Sequence, residues 1–112
     1  MDKITNLQKA IIAVLDKYHE QFDQEEEDLN AYIIRDEENH HYQFLWFGWK
    51  AKRHLFNVAF HAHIQNEKIY MLQDRTEVGI ADLLVEEGIN KKDIVLAYFS
   101  PEHRKLTDFA VS

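Results

Sequence analysis

Seven histidines in a chain of 112 residues are the first feature with chemical potential. His61 and His63 stand two apart in a stretch that alternates like a strand, so their imidazoles project to one side. His40-His41 lies at the far end of the preceding hairpin, and Asp74 or Glu77 offers an oxygen ligand. Two histidines and a carboxylate suit zinc or non-haem iron. There is, however, no helical His-Glu pair at ligand spacing and no second His-x-His. The expected role of this stretch is a half-exposed polar strand face. His61 and His63 stay as the metal candidates of a less favoured metalloenzyme reading, and no cofactor is expected.

A second constellation joins Trp49 to Lys50, Lys52, Arg53 and His54, the only basic cluster in the chain. An aromatic ring for stacking beside cations for phosphate is how a nucleic-acid contact is built. The same residues also make an ordinary hairpin loop, which is the favoured reading. Other chemistry finds no candidates. Cysteine is absent, which removes disulfides, thiolate metal sites and a cysteine nucleophile. The only serines are Ser100, a helix cap by its context, and Ser112. The three glycines are scattered, so no phosphate-cradling loop forms. Asp74 and Glu77 have acid/base spacing, but the spacing of a capping box explains both.

The elements that position these residues are legible from periodicity. Ile4, Leu7, Ile11, Val14, Leu15, Tyr18 and Phe22 recur at three- and four-residue steps, one stripe of an amphipathic helix. This stripe is expected to lie on a sheet, with a partner-binding helix as the alternative. The acidic run Asp23–Asp28 then ends the helix, because acids at a helix C-terminus oppose the macrodipole. It reads as a solvated linker, or else as a handle for a basic partner. Leu29 to Asp36 is a strand, followed by turn residues 37–40.

Tyr42 to Trp49 is apolar on both faces: Tyr42, Phe44 and Trp46 point one way, Leu45, Phe47 and Trp49 the other. Such a strand is central, or covered on its second side by another subunit, so a homo-oligomer is among the expectations. Gly48 marks a bulge or a close backbone approach. Leu55 to Gln65 alternates, with Phe56, Val58, Phe60, Ala62 and Ile64 on one face and His61 and His63 on the other. Asn66-Glu67 is a two-residue hairpin turn that sets Ile64 opposite Ile69 and His63 opposite Tyr70.

Asp74 to Glu77 starts a helix that Gly88 ends. Residues 90–93 form a turn, and 94–99 (IVLAYF) a short buried strand. Ser100 and Pro101 cap a last helix, and Phe109-Ala110-Val111 is expected to dock. The fold class is α+β: N-terminal helix, four-stranded antiparallel meander, helix, fifth strand and short C-terminal helix, in one domain spanning 1–112.

Composition agrees. An apolar share of 46% with one proline suits an ordered globule large enough for one core. The N-terminal apolar residues are interrupted by charge at every turn, unlike a signal peptide or membrane span, so a soluble, cytoplasmic protein is expected. The net charge of −7 is lopsided: residues 1–40 hold eleven acids against four bases, and residues 41–112 hold nine of each. That acidic half would repel a phosphate backbone.

Gly48-Trp49 with Arg53, His61 and His63, and Lys68-Ile69 form the first part of a longer pattern. Asp74-Arg75-Thr76-Glu77, Gly79-Ile80-Ala81, Leu84-Val85, Gly88-Ile89, Asp93-Ile94-Val95-Leu96-Ala97, Pro101, Arg104 and Phe109-Ala110-Val111 complete it. In this order and spacing the chain resembles the XisI family, the fdxN element excision controlling factors of cyanobacteria. The resemblance covers almost the whole chain and is densest from Asp74 onward. It implies a non-enzymatic accessory factor for a programmed DNA rearrangement in differentiating heterocysts, acting through a protein partner such as the XisH-like, nuclease-fold companion usually encoded next door. XisI-like proteins also occur where no such excision is evident, and the resemblance carries over no catalytic residues. Two further roles stay open, direct DNA binding through residues 49–54 and neutralisation of a nuclease-like protein. Contact candidates for a partner or nucleic acid are Trp49, Lys50, Lys52, Arg53, Arg75 and Arg104.

Overall fold

The computed structural model describes residues 2–25 and 28–112. The apolar stripe at the N-terminus becomes helix α1, Lys3–Glu25. Four strands follow, β1 (Leu29–Asp36), β2 (His41–Lys50), β3 (Arg53–Gln65) and β4 (Lys68–Asp74), then helix α2 (Ile80–Glu86), strand β5 (Ile94–Leu96) and helix α3 (Pro101–Arg104). The sheet order is β1-β2-β3-β4-β5. The first three pairings are antiparallel and β4 pairs with β5 in parallel, across the connection that contains α2. Such a parallel pair needs a crossover, and α2 with the 3₁₀ turn Lys91–Asp93 supplies it.

Helix α1 lies along one face of the sheet, burying Leu7, Ala10, Ile11, Val14 and Leu15 against Tyr42, Phe44, Phe60, Ile64, Ile69 and Met71. Tyr18 meets Phe44 edge-on at 4.8 Å and Phe60 at 5.7 Å, and Phe22 meets Phe44 and Trp46. Of these rings Phe44 and Phe60 are fully buried, and each contributes about 1.5–3 kcal/mol. The acidic run is less of a linker than its charge suggests: Asp23 to Glu25 still belong to the backbone of α1. Glu26 and Glu27 lie outside the described residues.

Two hairpins turn through residues with positive φ and without glycine: Ala51 and Lys52 at 50° and 69°, Asn66 and Glu67 at 54° and 58°. Both are the left-handed pairs of a type I′ turn. At Asn66-Glu67 this gives the expected register, Ile64 opposite Ile69 and His63 opposite Tyr70. At Ala51-Lys52 it replaces the expected basic loop, because Lys50 ends β2 and Arg53 and His54 open β3. Gly48 is a close approach: a Cβ there would stand 2.5 Å from the Asp28 carbonyl oxygen.

The alternation of β3 does not run cleanly through its length. Phe44 pairs with Phe60 and the next β2 residue, Leu45, pairs with Val58, leaving Ala59 as an extra residue. This bulge switches faces. Phe60, Ala62 and Ile64 point into the core, whereas Phe56 stands out in solvent. Strand β5 is also shorter than the apolar run 94–99, because the chain turns after Leu96. The tail docks beside it: the Ala110 amide donates to Ile94 O at 2.9 Å and Ala110 is buried. No helix among the described residues is long and apolar enough to cross a membrane.

Candidate functional site

The face of the sheet turned away from α1 has no element packed over it among the described residues. Register places Tyr32, Leu45 and Val58 side by side across β1, β2 and β3, with Phe47 beside Phe56 one step along. Tyr32 stacks on Phe47 at 5.5 Å and Phe47 on Phe56 at 6.4 Å. These rings make an aromatic band that water still reaches, with Phe56 66% exposed, Tyr32 52% and Leu72 44%. Soluble monomers rarely leave a contiguous apolar patch of this kind without a use for it.

Toward the other end, the same face becomes polar. His41 pairs with His63, and Gln43 with His61. The His61 Nδ1–H donates to Gln43 Oε1 at 2.8 Å, which leaves His61 Nε2 to accept from His41 Nδ1–H, also at 2.8 Å. His63 donates from Nδ1 to the His40 carbonyl at 3.0 Å, and its ring stacks on His41 at 3.9 Å. Burial, and after it the His63 ring, push the His41 imidazole below its ordinary pKa, against an upward pull from Asp36. Burial, then His41, then His63 push His61 the same way.

For the metal reading this geometry is poor. Both nitrogens of His61 are engaged, and the rings of His41 and His63 lie parallel rather than converging on a point. The carboxylates proposed beside them are elsewhere. Asp74 Oδ1 accepts from the Thr76 amide and hydroxyl, and Oδ2 accepts from the Ile80 amide at 2.8 Å. Asp74 thus caps α2 from outside the helix, whose first flanking residue is Gly79. The expected capping box is not formed, and Glu77 is exposed. No group of three or more His, Asp or Glu side chains that could hold a metal ion is found among the described residues. Strand register sets His41, one of the pair His40-His41 already grouped with them, directly opposite His63.

The contact candidates fall in three places. Trp49, 61% exposed, meets His54 at 4.9 Å near the tip of the β2–β3 hairpin, where Lys50, Lys52 and Arg53 also sit. Arg104 is a staple: Nε donates to Phe99 O at 2.9 Å, and its terminal nitrogens donate to Val111 O and Ala97 O. It fixes the tail that Ser100, capping α3 through His103 N, begins to fold. Trp49, two residues beyond Phe47 on β2, shares the uncovered face at its hairpin end. Arg75 also joins that face, where it donates from a terminal nitrogen to Asn57 Oδ1 at 3.2 Å. Phe56, Val58 and Leu72 share a hollow with it.

The fold and this face define a small α+β domain whose mixed sheet is covered by helices on one side and open on the other. A family model described as XisI protein matches residues 1–111, and the chain belongs to the XisI family. One similar solved structure is the fdxN element excision controlling factor XisI from Anabaena variabilis, 31% identical with a TM-score of 0.84, with 99% of this chain and 100% of that chain covered. Another is a XisI-like protein from the same organism, 28% identical with a TM-score of 0.85 and the same coverage. No functionally curated protein matches the chain at a significant level.

Proposed function

We propose that this chain is a non-enzymatic control factor for DNA element excision, acting in the cytoplasm by binding a protein partner through its uncovered sheet face. The observation that carries this is the solvent-exposed aromatic band of Tyr32, Phe47 and Phe56 on a sheet whose other face is already filled by α1. Aromatic side chains that need no further burial for folding are the usual anchors of an interface. Membership of the XisI family, and similarity to a protein named as an excision controlling factor, supply the process. The XisH-like companion that the family resemblance implies is the partner of choice. Sedimentation of the two purified proteins, separately and mixed at micromolar concentration, tests this. A mixed species heavier than either is the expected result, and two independent boundaries would contradict it. The chain run alone also reports a homo-oligomer. If the companion is toxic when expressed alone and harmless with this chain, the control is neutralisation of a nuclease-like protein.

A second reading is direct DNA contact by the hairpin tip, favoured by the exposure of Trp49 close to Lys50, Lys52 and Arg53. A gel shift at low salt decides it, because a phosphate-driven contact is strongest there.

A further inference from the structure

Within the uncovered face, β3 and β4 enclose a shallow hollow of about 480 Å³. Its walls are apolar where Phe56, Val58 and Leu72 line them, and polar where Asn57, His61 and Arg75 do. The Arg75 backbone amide is fixed to the Ala59 carbonyl at 2.7 Å, and the guanidinium makes one hydrogen bond, to Asn57 Oδ1. A guanidinium has five donors in a planar fork, so most of its capacity faces the hollow and the solvent unspent. No carboxylate lines the hollow, and among the described residues Arg75 has no acidic partner. Elsewhere Lys3 pairs with Asp93 and Lys17 with Glu87.

A positive fork over an apolar floor, with no countercharge supplied by its own chain, is complementary to an acid carried beside an apolar side chain. We propose that this hollow is the specificity pocket of the partner-binding face, and that it takes an aspartate or glutamate side chain of a partner segment, flanked by an apolar residue that covers Phe56 and Leu72. The carboxylate accepts from the Arg75 fork, and the flanking apolar side chain excludes water and so strengthens the pair. The inference rests on the partner-binding reading for the occupant being a protein segment.

The test is a ¹⁵N–¹H NMR titration of the full chain with acetyl-Leu-Glu-Leu-amide and with its glutamine counterpart, each to about 10 mM, above a millimolar Kd. The amidated end leaves the glutamate side chain as the only carboxylate. Shifts at Phe56, Val58, Leu72 and Arg75 with the glutamate peptide, at least tenfold weaker with the glutamine peptide, are expected. Arg75→Gln is expected to weaken the glutamate peptide by about tenfold, the worth of one partly screened charged hydrogen bond, and Arg75→Lys by less. Overlay of the variants' spectra away from the hollow shows that they are folded. Equal shifts from both peptides, shifts that survive Arg75→Gln, or none at all would overturn the proposal. The broader reading fails separately: glutamate-specific shifts without a companion complex contradict the XisH-like partner and leave the pocket standing. A companion complex with silent peptides does the reverse.

Discussion

The two faces of one sheet are built from the same strands and have different fates. On the covered side Tyr42, Phe44, Ile69 and Met71 are fully buried under α1. On the other side Phe47, Phe56 and Tyr32 stack on one another at the surface. Strand geometry sends alternate residues to opposite faces, and here both sets are apolar across the middle of β2. Helix α1, with Ile80, Ala81 and Leu84 of α2 in the same core, closes one face. The second is therefore surplus to folding, and surplus apolar surface is what a binding protein keeps available.

Core truncation should separate the faces most sharply. Phe44→Ala is expected to cost about 3–5 kcal/mol in urea unfolding, whereas Phe56→Ser should change stability by no more than about 0.5 kcal/mol. Similar losses from both would break the distinction. Next in size, Gly48→Ala forces a methyl group against the Asp28 carbonyl and should cost about 1–3 kcal/mol, measured the same way. Glu67 holds a left-handed conformation that costs an L-residue about 1 kcal/mol, so Glu67→Gly should raise the thermal midpoint modestly and leave both faces as they are.

The smallest effect concerns the polar end of the open face. His41 and His61 are held below their ordinary pKa, so the unfolded chain takes up protons first. Their contribution to stability is then complete above the ordinary imidazole value of about 6.5 and is lost as the pH falls through the lowered folded values. The melting temperature should drop across that window, and His41→Asn should flatten the drop.

Most of the covered face could be read from the chain, because its determinants are local. The stripe from Ile4 to Phe22 has helical period, and Ser100-Pro101 caps α3 as its residue types require. Gly88, at φ 99°, closes α2 with paired bonds from Gly88 N to Val85 O and from Ile89 N to Leu84 O. The open face was less legible because one bulge governs it. Ala59 offers no glycine or charge to mark an extra residue, yet it moves Phe56 from the expected core to the surface. Likewise Asp74 caps α2 across five intervening residues, a reach that the spacing of a capping box does not describe. Arg75 joins Phe56 and Leu72 only once β3 and β4 are paired around a second irregularity, between His61 and Ala62.

The central claim is that the uncovered sheet face, rather than the hairpin tip or the histidine cluster, is where this XisI-family chain meets its partner. Isothermal titration of the XisH-like companion into the wild type, Phe56→Ser and Lys52→Glu tests it most directly. The account predicts that Phe56→Ser weakens Kd by about tenfold or more, as loss of an aromatic anchor does, while Lys52→Glu leaves it unchanged. Undiminished binding by Phe56→Ser, with loss confined to Lys52→Glu, would contradict it.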